Sequence, residues 1–279
     1  MNLYDQLLQL QVIEHAFSEW QTYRSQITKF IIEHTKPGQS LAICGAGRCN
    51  DLDLVLLKEH FQHITLLDKD ENSMLEAKKQ YGLETESYVD TLKIDFVGIS
   101  DTTYRQYADT LIAEAKKYGK ATNVHHLAEV VLKLLLQLEP QLANLSSPLE
   151  TGQYDVVVAV GVHSQLLNML EWIWGIILET LELDEPLVRK KIGEMNTLAV
   201  EKLNDLLFAM TKSCLIIGIE QKRVDRVGSI QGAMQCMQDI QHYQEAGVLE
   251  LVQDIVLEWP FDLSTQKVYE MGIQILKKV

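Results

Sequence analysis

The segment Gly45-Ala46-Gly47-Arg48-Cys49-Asn50-Asp51 follows an apolar run, SLAIC, and precedes a helical pattern, DLDLVLLKEHF. Two glycines in alternation let the backbone bend sharply and approach a ligand, and the N–H groups that open the next helix face an anion, phosphate or carboxylate. Asp68 ends a second apolar run, HITLLDKD, 21 residues past Gly47. A carboxylate there can accept both hydroxyls of a ribose. A third run, VDTLKIDFVG, brings Asp95 to its end, placed to accept from an exocyclic amine such as that of adenine, with Phe96 beside it as a stacking or packing face.

A nicotinamide dinucleotide satisfies the ribose and adenine arguments equally well, but its phosphate fingerprint wants a third glycine where this chain has Asn50. A short anion, one carboxylate, suits the tight GAGRCND loop better. With these residues in place the chain resembles the class I S-adenosylmethionine-dependent methyltransferases. LAICGAGRCNDLDL looks like their first motif, HITLLDKD like their acidic ribose strand, LKIDFVG like their adenine motif and YDVVVAVGVHSQL like their fourth-strand motif. LELVQDIVLEWPF and KVYEMGIQILKK look like the family's reversed last strand and its partner.

The resemblance implies S-adenosylmethionine as cofactor, with Gly45 and Gly47 around its methionine moiety, Asp68 on the ribose and Asp95 and Phe96 on adenine. Gly161, Val162 and His163 then lie near the sulfonium, and Ala46, Asn50, Asp51 and Lys69 complete the cofactor-binding candidates. Two positions depart from the family pattern: Cys49 stands where many members carry a third glycine, and Ile43 where many carry an acid. Methyl transfer is an in-line displacement at carbon, so alignment is the main demand on the protein. Where the acceptor must lose a proton, His163 or Glu220, at the ends of the fourth and fifth strands, are the candidates to take it.

Other chemistries find little support. His125-His126 are adjacent on a helix and point to different faces, and there is no HExxH or spaced Cys/His set, so no metal is expected. Trp172 and Trp174 look like core. Trp259 and Phe261, in the turn after the sixth strand, can wall a substrate pocket or attract a cation. Tyr4, Trp20 and Tyr23 precede the first strand and can form a lid over the cofactor.

The elements that must position these residues alternate. Helices run from Asn2 to about His34, and Lys36-Pro37-Gly38-Gln39 turns into the first strand. A helix capped by Asn50 or Asp51 leads to the second strand, and ENSMLEAKKQYG, with acids first and lysines last, leads to the third. Two helices follow, Tyr104 to Lys117 and HHLAEVVLKLLLQLEP, the latter capped by Thr122/Asn123 and stopped at Pro140. Then come the fourth strand, a helix over Leu166–Leu183, another over Pro186–Lys212, the fifth strand SCLIIGIE, a helix near Ser229 to Tyr243, and a terminal pair too closely connected to be parallel.

This is an α/β pattern: a doubly wound, mostly parallel seven-stranded sheet with a reversed last strand, an N-terminal helical cap over 1–35 and a methyltransferase-like domain over 36–279. A helical insertion at about 102–148 follows the third strand, and selectivity is expected in the insertion and the cap.

Composition narrows the partners. The 279 residues carry 25 Lys+Arg against 39 Asp+Glu, a formal net charge of −14, and the average field repels phosphate backbones and anionic lipid. A small-molecule acceptor is therefore expected in place of a nucleic acid, with no membrane partner. An apolar face on LAEVVLKLLLQL would suit a homodimer. Four scattered cysteines without a CxxC pair, and an amphipathic N-terminus without a basic lead, fit a cytoplasmic protein. The rival readings are a nicotinamide-dependent oxidoreductase using the same loop and a non-catalytic nucleoside-binding or scaffold protein.

Overall fold

The computed structural model describes residues 2–143, 148–225 and 230–279. Its sheet has seven strands: β1 (Ser40–Cys44), β2 (His63–Asp68), β3 (Val89–Lys93), β4 (Tyr154–Val160), β5 (Thr211–Arg223), β6 (Leu249–Asp262) and β7 (Lys267–Lys278). Their order is β3-β2-β1-β4-β5-β7-β6. The first five are mutually parallel, and β7 runs antiparallel to both β5 and β6. The expected doubly wound sheet with its reversed last strand is thus present. The reversal follows from chain length: only the short turn of helix Leu263–Thr265 joins β6 to β7, and a parallel return needs a crossover.

The strands at the centre read as continuous apolar runs because helices cover both faces. Leu41, Ala42, Val156, Val157, Val158 and Ala159 are fully buried. The helices are α1 (Leu3–Leu10), α2 (Ala16–Glu19), α3 (Gln21–His34), α4 (Leu54–His60), α5 (Glu71–Gln80), α6 (Asp101–Tyr118), α7 (Val124–Ala143), α8 (Asn168–Leu181), α9 (Pro186–Met210) and α10 (Gln231–Glu245).

The chain clusters into two compact units. One comprises Met1–Ile13, Val97–Ser146 and Gln165–Lys202, with α1, α6, α7, α8 and most of α9. In it the Tyr4 hydroxyl donates to Asp101 at 2.7 Å and the ring stacks on Tyr104 at 5.2 Å. Tyr4 is therefore taken up within its own unit, whereas Trp20 and Tyr23 belong to the other. The other unit, Glu14–Phe96, Ser147–Ser164 and Leu203–Val279, holds the entire sheet with α2, α3, α4, α5 and α10.

Several boundaries differ from the sequence pattern. The cap of α4 is Asp53, whose carboxylate accepts from the N–H groups of Val55 and Leu56; neither Asn50 nor Asp51 serves. Thr28 holds Asp53 in place by accepting its N–H at 2.9 Å, a tertiary contact that local capping rules do not weigh. Helix α7 does not stop at Pro140 but continues to Ala143. The proline removes one N–H bond within a turn of the helix end, and burial of Leu138 and Leu142 on either side holds that turn helical. Asp95 and Phe96 lie beyond the end of β3, and β5 reaches Arg223 where the pattern had stopped at Glu220. The expected start of the tenth helix at Ser229 lies outside the described residues.

Candidate functional site

Strand order reverses between β1 and β4, and the carboxyl edge at such a reversal is where ligands of open α/β sheets bind. Both exits are glycines in the left-handed region, Gly45 at φ +66° and Gly161 at φ +66°. A Cβ on Gly45 would stand 2.5 Å from Cγ2 of Val162, so glycine there lets the two exits touch. Gly47, at φ +47°, has nothing within 4 Å of where a Cβ would stand, so open space lies in front of it.

The loop between β1 and α4 is tied down from several sides. Ala46 N–H donates to the Leu67 carbonyl and Cys49 N–H to the Ala46 carbonyl. Cys49 sits at φ +48°, a strained setting for a residue with a Cβ, and its side chain is 1 % exposed. Tyr81 donates its hydroxyl to the carbonyls of Cys49 and Leu52 at 3.0 and 2.7 Å. Arg24, buried in α3 with its guanidinium 4.1 Å from the Phe17 ring centroid, donates to the carbonyl of Asn50 at 2.9 Å. Gln80 donates to the Asn50 side chain at 3.3 Å, so that side chain is part of the scaffold. A loop held this firmly keeps its bend without further ordering cost on binding.

Asp68 ends β2 and joins this scaffold directly. Its Oδ2 accepts the Gly47 N–H at 2.9 Å and its Oδ1 accepts the Asp70 N–H at 2.8 Å. An ionised carboxylate has about four acceptor positions, so it keeps capacity for a sugar hydroxyl beyond these backbone donors. Burial raises its pKa, while the bonds from Asp70 and Gly47 pull the other way. Lys69 pairs with Asp95 at 3.6 Å, which brings these two candidates together beyond β2 and β3. Phe96 is only 6 % exposed and packs into the core.

Asp51, released from capping, has no side-chain hydrogen bond to another described residue. Its low-dielectric surroundings push its pKa up to about 6, against the opposing pull of Arg24. A half-buried acid of this kind has the charge to receive an ammonium group.

At the ends of β4 and β5 the two candidate bases differ. His163 is fully buried, and its Nε2 lies 2.9 Å from Oδ1 of Asn204. Asn204 in turn donates its Nδ2 to Asp239 at 2.8 Å, which turns Oδ1 toward the ring and puts the imidazole proton on Nε2. Desolvation lowers the His163 pKa to about 4, leaving a neutral ring. Its carbonyl lies 2.0 Å from where a Cβ on Gly232 would stand, so α10 packs directly against this backbone.

Glu220, 3 % exposed, accepts the Ser164 hydroxyl on Oε1 at 2.8 Å, whereas its Oε2 is buried without a hydrogen-bond partner. Burial raises its pKa. Above Gly161 the ring of Trp259 and Oε1 of Glu220 converge, at 3.3 and 3.6 Å from where a Cβ would stand. Trp259 meets Trp20 edge-on at 5.0 Å, stacks near Tyr23 at 6.0 Å and meets Phe261 edge-on at 4.9 Å.

The fold therefore gathers Gly45, Ala46, Gly47, Asn50, Asp51 and Asp68 around one bend, Lys69 with Asp95 beyond it, and Gly161, Val162 and Glu220 on its other side. Arg24, Tyr81, Ser164, Asn204 and Asp239 escaped the sequence reading. Ser164 directly follows His163 with no signal of its own, and the others come from distant segments with no motif around them. Among the described residues no group of three or more His, Cys, Asp or Glu is placed to hold a metal ion, and no helix is long and apolar enough to cross a membrane.

No family model matches the chain, and no curated protein does. Solved structures are similar in fold. One is an S-adenosylmethionine-dependent methyltransferase from Aquifex aeolicus, at 11 % identity and a TM-score of 0.46, covering 99 % of this chain and 98 % of that one. Another is the magnesium protoporphyrin IX methyltransferase of Synechocystis PCC 6803 with bound S-adenosylhomocysteine, at 13 % identity and 0.47, covering 94 % and 84 %. A third is a putative tRNA (m1A22) methyltransferase of Streptococcus pneumoniae in complex with S-adenosylmethionine, at 12 % identity and 0.39, covering 91 % and 72 %.

Proposed function

We propose that the carboxyl edge of this sheet binds S-adenosylmethionine and that the protein transfers its methyl group to a small-molecule acceptor. The observation that carries this reading is the Asp68 carboxylate, locked by Gly47 and Asp70 and still able to accept from a sugar hydroxyl beside a glycine bend with open space before it. The residues suit the ligand part by part. Asp68 takes the ribose hydroxyls, the Lys69–Asp95 pair borders the adenine, and Asp51 receives the ammonium of the methionine end.

When bound, the sulfonium supplies an activated methyl group. The chain's own contribution is a preformed loop, a walled approach over Gly161 and a buried acid, Glu220, at the acceptor side. Within this reading His163 is a positioning residue that ties β4 to α9 and α10, not a catalytic residue, because its ring is enclosed and engaged with Asn204. The helical segments 1–35 and about 102–148 are where acceptor selectivity is proposed to lie. The net charge of −14 favours a small molecule over nucleic acid. Four free, buried cysteines fit a reducing, cytoplasmic setting.

Calorimetry with S-adenosylmethionine and S-adenosylhomocysteine tests the reading directly, and a radiolabel assay against cell metabolites and bulk tRNA tests transfer. Asp68→Ala is expected to weaken binding of either nucleoside by about 2 kcal/mol, since it removes the ribose acceptors and leaves the Gly47 N–H without its partner. Unchanged affinity in that variant removes the ribose assignment.

A further inference from the structure

We infer that Glu220 and the rings around Trp259 form the acceptor end of the site, and that the group they take is an amine, bound as its ammonium. The inference rests on the methyl-transfer reading for the word acceptor, but the geometry of the cation site is its own.

Position comes first. Along the sheet edge the order β2-β1-β4-β5 puts Glu220 three strands from Asp68, about 14 Å away at the usual spacing. Glu220 therefore faces the far end of a ligand whose sugar lies on Asp68. Gly161 stands between them, and its missing side chain leaves the Trp259 ring and the Glu220 carboxyl bordering the same ground.

Charge comes next. Glu220 is buried at 3 % exposure, has one oxygen held by Ser164, and has the other without a partner. No described basic side chain forms an ion pair with it, and the influences on its titration are burial, Ser164 and its own backbone. An ionised carboxylate in such a place costs several kcal/mol unless a cation arrives to neutralise it. The neighbouring surface is suited to bring one. Trp259 is packed among Trp20, Tyr23 and Phe261, a largely buried wall of rings of the kind that attracts cations, and the Tyr23 phenol feels the charge of Glu220.

An alcohol would leave the carboxylate without a counter-charge, and a carboxylate would be repelled by it. An ammonium satisfies both the acid and the rings. Transfer of one N–H proton from that ammonium to Oε2 leaves a neutral amine with its lone pair exposed and a neutral carboxylic acid, the form that burial favours. No further reactant is needed for this step.

Three matched aryl probes test it: benzylamine, benzyl alcohol and benzoate, titrated by ligand-observed saturation-transfer NMR against the full chain. Benzylamine is expected to bind at least tenfold more tightly than the other two, and Glu220→Gln is expected to abolish the preference. Trp259→Leu is the second variant, retaining the acid and weakening benzylamine at least fivefold. Equal binding of the three probes, absence of benzylamine binding, or a preference that survives Glu220→Gln overturns the inference.

Calorimetry of the same proteins separates the two readings. Wild type and Glu220→Gln are expected to show the same ratio of S-adenosylmethionine to S-adenosylhomocysteine affinity. A tenfold fall of that ratio in Glu220→Gln would mean that the acid faces the sulfonium, and sinks the amine site. Nucleoside binding without amine preference overturns this inference alone, whereas amine preference without nucleoside binding overturns the methyl-donor reading and leaves the cation site standing.

Discussion

Gly45→Ala is expected to destabilise the fold by about 3 kcal/mol, the sum of a left-handed backbone strain of about 1 kcal/mol and an overpacking cost of about 2 kcal/mol. The overpacking has a definite source, since the new methyl would stand 2.5 Å from Cγ2 of Val162, a β-branched side chain with little freedom to swing away. Relief requires the β1 or β4 exit to move, and either movement takes the loop N–H groups out of line. Binding of S-adenosylhomocysteine should fall with stability. Gly47→Ala is the matched control: the same left-handed conformation, φ +47°, but nothing within 4 Å of the new methyl, so only the strain of about 1 kcal/mol remains. Urea unfolding of the two variants beside wild type measures the difference. Equal losses would mean that the contact between the two strand exits contributes nothing.

The second large effect is in the pH dependence of stability and belongs to His163. Its folded pKa is about 4, below the ordinary value of 6.5, because burial disfavours the charged ring. A group depressed in this way binds fewer protons in the folded state than in the unfolded state, so stability falls as pH drops through 6.5 toward 4. The loss integrates to about 3 kcal/mol. Asp51 and Glu220 act in the opposite sense, because their raised values make the folded state bind more protons on acidification. The His163 contribution therefore has to be read as a difference between proteins. Urea denaturation at pH 7 and pH 4.5 should show wild type losing more stability than His163→Leu, by about 2.5 kcal/mol. The loss of the Asn204 hydrogen bond in the variant shifts both of its values alike and leaves the difference intact. Parallel pH profiles would show that the ring is not held neutral.

Taken together, these effects describe a crevice whose two sides are built differently. On the β1 side the backbone carries the design: left-handed glycines, a strained Cys49 and carbonyls held by Arg24 and Tyr81. On the β5 side side chains carry it, with Glu220 steadied by Ser164 and bordering the Trp259 ring above Gly161, and His163 withdrawn into a chain through Asn204 to Asp239.

Much of this was legible from the sequence. The alternation of apolar runs with amphipathic helices, the glycines after SLAIC, the acid after HITLL and the short link between the last two strands are local signals. Local signals suffice for the alternation of strands and helices, for the bend and for the reversed last strand. The tertiary structure alone decided which acid caps α4, because Thr28 comes from a helix 25 residues away to fix Asp53. It likewise decided that Pro140 lies inside α7, and that His163 and Glu220, similar as candidate bases, have opposite fates. A side chain's protonation and reach depend on what surrounds it in three dimensions, and those neighbours, Asn204 for one and Ser164 with Trp259 for the other, arrive from segments whose own patterns give no sign of the meeting.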